Sequence, residues 1–90
     1  MYNLEQTGKF KKDVKLAKKR GLNMELLDEV VTTLVIEGKL PIKHKPHILK
    51  GDYSGFWECH IQPDWLLVWE QNETIKLITL TRTGTHSDLF

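Results

Sequence analysis

The sequence contains a single cysteine, Cys59, so it can form no internal disulfide and no thiolate cage for zinc. It has no apolar run near the roughly 20 residues that a membrane-crossing helix requires. Its first residues, Met1-Tyr2-Asn3-Leu4-Glu5, lack the basic-then-apolar order of a signal peptide, and a cytoplasmic location is expected. Only two serines occur, Ser54 and Ser87, and neither has nucleophile-like surroundings. Gly-rich phosphate loops, His-Glu-x-x-His and Gly-x-Ser-x-Gly are all missing, which removes the common nucleotide-binding, zinc-protease and serine-hydrolase signatures. An excess of one charge sign is lacking too: 13 Lys/Arg face 12 Asp/Glu, for a net charge of +1.

What is present describes one globular domain, expected to span residues 1–90. A chain this short cannot divide into two adequate cores, and 40% hydrophobic with 28% charged residues is ordinary for a folded protein. The near-zero total charge hides an asymmetry. Residues 1–50 carry 11 basic and 6 acidic side chains (+5), and residues 51–90 carry 2 basic and 6 acidic (−4). All four histidines, His44, His47, His60 and His86, lie from position 44 onward.

Residues 2–5 alternate apolar and polar, enough for a short strand. Thr7 is a helix N-cap candidate, and Phe10, Val14 and Ala17 form one apolar stripe over residues 9–20. Gly21 suits the left-handed position after that helix. Asn23 caps a second helix whose core face is Leu27, Val30, Val31, Leu34 and Val35, ended by Gly38. The short link predicts an antiparallel helical hairpin. Residues 40–51 read as an irregular loop. Three strand-like runs follow, 53–61, 65–70 and 74–81. In the last, Ile75 and Leu77 are expected on one face, with Ile78 and Leu80 out of phase. Turn-prone Gln62-Pro63-Asp64 and Gln71-Asn72-Glu73 join the runs as consecutive hairpins. Residues 84–90 form a tail. The expected class is α+β: β-α-α-β-β-β, with the helical hairpin on one face of a small, largely antiparallel sheet.

In such a sheet His60, Asp64, Arg82 and His86 converge at one end, and the loop bearing His47 can fold over them. A metal site of histidines and Asp64 is compatible with composition, but the spacings match no ligand pattern. The cluster suits RNA phosphodiester cleavage. That reaction needs a base for the 2′-hydroxyl proton, an acid for the leaving 5′-oxygen and a cation for the charge gathering on phosphorus. Histidines titrate near neutrality and can divide the first two roles, Arg82 can bind phosphate through two parallel hydrogen bonds, and Asp64 can orient an imidazole. Core packing is the default for Trp57, Trp65 and Trp69. Trp65, beside the turn, is the best candidate to meet a base, while Phe90 either stacks on a nucleotide or packs back on the sheet. Lys11, Lys12 and Lys15 form either a solvated helical face or a phosphate-binding one. Cys59 is a small apolar strand residue.

Three segments carry a resemblance: Lys45-Pro46-His47-Ile48-Leu49-Lys50-Gly51, then Glu58-Cys59-His60-Ile61-Gln62-Pro63-Asp64-Trp65-Leu66-Leu67-Val68, then Arg82-Thr83-Gly84-Thr85-His86-Ser87-Asp88-Leu89-Phe90. Together with Phe10-Lys11-Lys12-Asp13-Val14-Lys15 they resemble the YafQ-type toxins of the RelE/ParE superfamily, from bacterial type II toxin–antitoxin systems. The resemblance implies a RelE-like fold and a ribosome-dependent, metal-independent endoribonuclease without cofactor. It implies cleavage of mRNA in the ribosomal A site, inhibition of translation and neutralisation by a cognate antitoxin. The implied catalytic positions are His47, His60, Asp64 and His86, with Arg82 at the phosphate and Trp65 and Phe90 at the substrate. Lys50 is expected to add positive charge, because the family commonly has a basic residue in the place of Trp57. The toxin is expected to be monomeric when free and hetero-oligomeric with its antitoxin, whose acidic segment would follow the basic helical hairpin. A same-fold toxin that binds a protein such as DNA gyrase and cuts nothing is the alternative, and an inactive member that only pairs with its antitoxin is a second.

Overall fold

The computed structural model describes all of residues 1–90. Strand β1 (Asn3–Gln6) leads into helices α1 (Gly8–Lys19) and α2 (Met24–Glu37). Strands β2 (His47–Ile48), β3 (Trp57–Gln62), β4 (Trp65–Asn72) and β5 (Leu77–Gly84) follow, and then helix α3 (His86–Leu89). The helix signals act as expected. The Thr7 hydroxyl accepts from the Phe10 N–H, Asn23 accepts from the Glu25 N–H, and Gly38 closes α2 in the left-handed conformation.

The five strands form one sheet in the order β1-β5-β4-β3-β2, antiparallel except for the parallel β1–β5 pair. The two long helices cover one face. There Phe10 and Ala17 of α1 and Leu27, Val30 and Leu34 of α2 pack on Cys59, Ile61, Leu67, Trp69, Ile78 and Leu80. On the other face Leu66 and Val68 meet Leu89 of α3, with Leu49 and Phe56 alongside. Strand β4 is thus buried on both sides, which is why its sequence is an unbroken apolar run.

Three local expectations are corrected. The run 53–61 is strand only from Trp57, because Gly51–Tyr53 form a 3-10 turn and Gly55 turns at φ 89°. The run 74–81 is displaced: Asn72 Oδ1 accepts from the Thr74 and Ile75 N–H groups, so a turn precedes β5. Its phase is the reverse of the one expected, with Ile78 and Leu80 in the core and Ile75 exposed. The loop over residues 40–51 is partly ordered, since His47 and Ile48 pair with Glu58 and Trp57 as an edge strand.

Two features position the far end of β5. Trp69 pairs with Leu80 and Val68 with Arg82, so Thr81 is an extra residue, a bulge. Strand β1 pairs only as far as Leu80, and beyond it α1 closes the edge. The Thr7 N–H donates to the Leu80 carbonyl (3.0 Å), the Thr7 hydroxyl donates to the Thr81 carbonyl (2.8 Å), and Asp13 accepts the Thr83 N–H (3.1 Å). Further along, α3 is held by a Thr85–Asp88 capping box and by Arg20, whose Nη1 and Nη2 donate to the Asp88 carboxylate at 2.6 and 3.2 Å. A Cβ at Gly84 would lie 2.8 Å from Asp88 Oδ2, so glycine permits the close approach.

Thr83 is the buried polar link in this corner. It accepts from Trp65 Nε1–H (2.9 Å) and donates to the Leu66 carbonyl (2.6 Å). Thr83→Val keeps the shape and strands both partners, so it should cost about 1–3 kcal/mol in urea unfolding. The Asp88 carboxyl lies well below its ordinary 3.8, first through the Arg20 hydrogen bond and then through the Thr85 N–H. A depressed carboxylate stabilises fully above its unfolded value, and that contribution fades as pH drops toward the folded one. The urea-midpoint gap between wild type and Asp88→Asn should therefore hold from neutrality downward and begin to close only as pH falls through 3.8.

Candidate active site on the face opposite the helices

Cross-strand partners share a face of the sheet, so the register places the candidate residues. One row runs His47–Glu58–Val68–Arg82, and the next runs His60–Leu66–Gly84. Val68 and Leu66 belong to the α3 side, and these rows therefore lie on the face that α1 and α2 leave uncovered. Helix α3 adds His86 at its first position.

His60, Asp64 and His86 come together. The His60 and His86 rings have centroids 5.9 Å apart. Asp64 Oδ1 accepts from the His86 backbone N–H (3.1 Å) and from His86 Nδ1 (2.9 Å). These bonds, the side-chain one first, hold the Asp64 carboxyl below its ordinary value and keep it an acceptor. His60 Nδ1 faces the Pro63 carbonyl at 3.1 Å. A carbonyl or carboxylate oxygen only accepts, so Nδ1 carries the proton in both rings. Neither Nε2 has a protein partner, so each ring is left with one free nitrogen that can take up or deliver a proton.

His47 stands one row away. Its Nδ1–H donates to the Lys45 carbonyl (2.9 Å), and its Nε2 lies 3.3 Å from Glu58 Oε1. The Glu58 carboxylate is almost wholly buried, and nothing in its spacing marked it for the site. His44, half-buried, bonds the His60 carbonyl through Nδ1 (2.9 Å) and fixes that end of β3 from behind.

Arg82 differs most from expectation. Its Nε and Nη2 donate to Asp13 Oδ2 and Oδ1 at 2.7 and 3.2 Å. The Asp13 bond is the main reason its already high pKa rises further, with a smaller contribution from Tyr53. The side-on edge of the guanidinium is therefore taken by Asp13, and the Tyr53 hydroxyl lies near the edge that remains. Asp13 was legible only as one acid among lysines.

The aromatic expectations divide. Trp65 is 2% exposed, with its indole in the helix-side core, so its reading as a base-contacting residue is corrected: it supports the site from beneath. Phe90 is 59% exposed and leans edge-on against Tyr53 (5.3 Å), offering a free face beside α3. Trp57 stacks on Trp69 (6.1 Å) and packs into the helix-side core, so it does not face the histidines. Lys50 is exposed just beyond β2. Lys11, Lys12 and Lys15 are exposed on α1, in the layer across the sheet from the histidines. The hairpin is not uniformly basic: α1 holds six lysines and one acid, whereas α2 holds Glu25, Asp28, Glu29 and Glu37 and no base. The expected acidic segment thus has a positive track along α1 alone.

No three His, Cys, Asp or Glu side chains gather in a group that could hold a metal ion. Cys59 is buried, and burial followed by the Glu58 charge pushes its thiol up to about 12, so no thiolate forms near neutrality. No helix is long and apolar enough to cross a membrane.

The fold and sequence have close counterparts. The mRNA interferase toxin YafQ of Escherichia coli K12 is 40% identical over 90 residues, covering 98% of this chain and 95% of that protein. The toxin in the E. coli DinJ–YafQ complex superposes with a TM-score of 0.90 at 38% identity, over 100% of this chain and 99% of that one. A metal-bound toxin from Helicobacter pylori superposes with a TM-score of 0.91 at 42% identity over 100% of both chains. The family model for YafQ, bacterial toxins of type II toxin–antitoxin systems, matches residues 2–90. With the match running through β1, both helices, the sheet and the α3 corner alike, the chain belongs to the YafQ toxin family.

Proposed function

We propose that this chain is an mRNA interferase that cleaves mRNA in the ribosomal A site by acid–base catalysis between histidines, without a metal, and so inhibits translation. The observation that carries the reading is the His60–His86 pair, each ring with Nδ1 bound to an acceptor and Nε2 free. One imidazole removes the 2′-hydroxyl proton, the 2′-oxygen bonds to phosphorus, and the bond from phosphorus to the 5′-oxygen breaks. The other imidazole protonates that leaving oxygen, and the product end is a 2′,3′-cyclic phosphate. His86 is a principal participant, and Asp64 orients it. His47, steadied by Glu58, completes the proton transfers or holds the RNA. The free edge of Arg82 meets the phosphate as negative charge builds. Phe90 stacks on a nucleotide and Lys50 meets the mRNA backbone, whereas Lys11, Lys12 and Lys15 lie across the sheet and are left for the antitoxin or for RNA outside the cleaved strand.

The partners are the ribosome with its mRNA and a cognate antitoxin, as the DinJ–YafQ complex suggests for a relative. An acidic antitoxin segment would lie along α1.

The test is cleavage of a defined mRNA on purified ribosomes in the presence of EDTA, with the new ends mapped. His86→Ala should slow cleavage by about 10²–10⁴-fold, the usual range for losing a general acid or base. Full activity of that variant would sink the mechanism. Growth arrest without any cut RNA would point to a protein target instead. Phe90→Ala should weaken substrate binding by about 1–3 kcal/mol, read as a rise in KM.

A further inference from the structure

Helix α1 is a lysine-rich amphipathic helix, and its one acidic residue is turned inward. The Asp13 side chain is only 13% exposed. It bonds none of the six lysines of its own helix. It accepts from Arg82 Nε, Arg82 Nη2 and the Thr83 backbone N–H. It sits mid-helix, so it neither caps α1 nor complements its dipole.

Those three bonds do two things together. The Thr83 N–H fixes the carboxylate against β5, at the edge that β1 fails to reach. The two guanidinium bonds then fix the plane of Arg82. An unheld arginine side chain has several rotatable bonds and would spread its charge over many positions. Held side-on, it keeps its end-on N–H groups in one orientation instead of many. The Thr81 bulge places Arg82 in register with Val68 and Glu58, in the row that ends at His47.

We infer that Asp13 is a positioning residue that aims Arg82 at the scissile phosphate, so that part of the rate on RNA is set by a side chain of α1. The inference rests on the proposed role of Arg82, and the experiment separates the two. Asp13→Asn keeps an oxygen for the Thr83 N–H and removes the charged fork. In single-turnover cleavage on ribosomes it should lower the rate at saturation by about 10- to 100-fold, the scale of a small misplacement, with KM little changed. Arg82→Ala should lose at least as much. The double variant should be no worse than Arg82→Ala, because Asp13 acts only through Arg82. A second measurement needs no variant. The chain has two arginines, Arg20 and Arg82, and only Arg82 donates its Nε–H to a carboxylate. In the NMR spectrum of the wild-type protein, the Arg82 Nε–H should exchange with water more slowly than that of Arg20.

Wild-type activity of Asp13→Asn, an equal loss in the presence and absence of Arg82, or equal exchange at the two arginines would each overturn the inference. Full activity of Arg82→Ala would instead overturn the role of Arg82 itself. If Asp13→Asn fails to fold, equal exchange at the two arginines still overturns the inference.

Discussion

The sheet has an unfinished edge, and the α1–β5 contact depends on how it is finished. Strand β1 supplies four residues of pairing to β5 and then turns into a helix, so the second half of β5 lacks a neighbour. Exposed backbone N–H and C=O groups there would be costly once covered by protein. Thr7 and Asp13 meet them, and in doing so they lock α1 at one height along β5. The side chains that close this edge also hold Arg82. Structural closure and the placement of a cation are one set of hydrogen bonds.

The same helix anchors the other end of the site. Asp13, Ala17 and Arg20 fall on one side of α1 at the spacing of two turns, so a single helix face reaches both Arg82 and Asp88. Between them, Ala17 packs in the core. Both arginines of the chain are used in these forked pairs, whereas the lysines, lacking a planar fork, are left mostly to solvent. This division explains how a protein of small net charge can spend two cations on internal geometry and still present a basic helix.

Much of this was legible in the sequence where the signal is local. Caps at Thr7 and Asn23, the glycine after each helix and the apolar stripes predict the hairpin correctly, because those rules act within one or two turns. Convergence of His60, Asp64 and His86 was also legible, since hairpin connections bring strand ends together. What was not legible depends on register. Ile78 and Leu80, after the turn that precedes Leu77, face the helices, and the bulge at Thr81 then shifts the alternation for Arg82 and Thr83, since a one-residue slip changes the face of every later side chain. Trp65 differs for another reason: a place beside a turn suggests exposure, but β4 is buried on both faces. Asp13 and Glu58 were not found, because a buried carboxylate is recognised by its partner, and the partners are 69 residues away and across a strand pair. The α3 turn did leave a signal, Thr85-x-x-Asp88, the pattern of a capping box.

The sign difference between α1 and α2 bears on how the molecule meets its surroundings. With a total of +1, a polyanionic surface exerts little net pull on it at a distance. Opposite charges on adjacent helices nevertheless make a dipole, and a dipole in a field experiences a torque even where the net force is small. Before any contact forms, such a surface would turn α1 toward itself and α2 away. The charge pattern then acts less as a source of affinity than as a compass needle, reducing the orientations that must be searched in the last ångströms of approach.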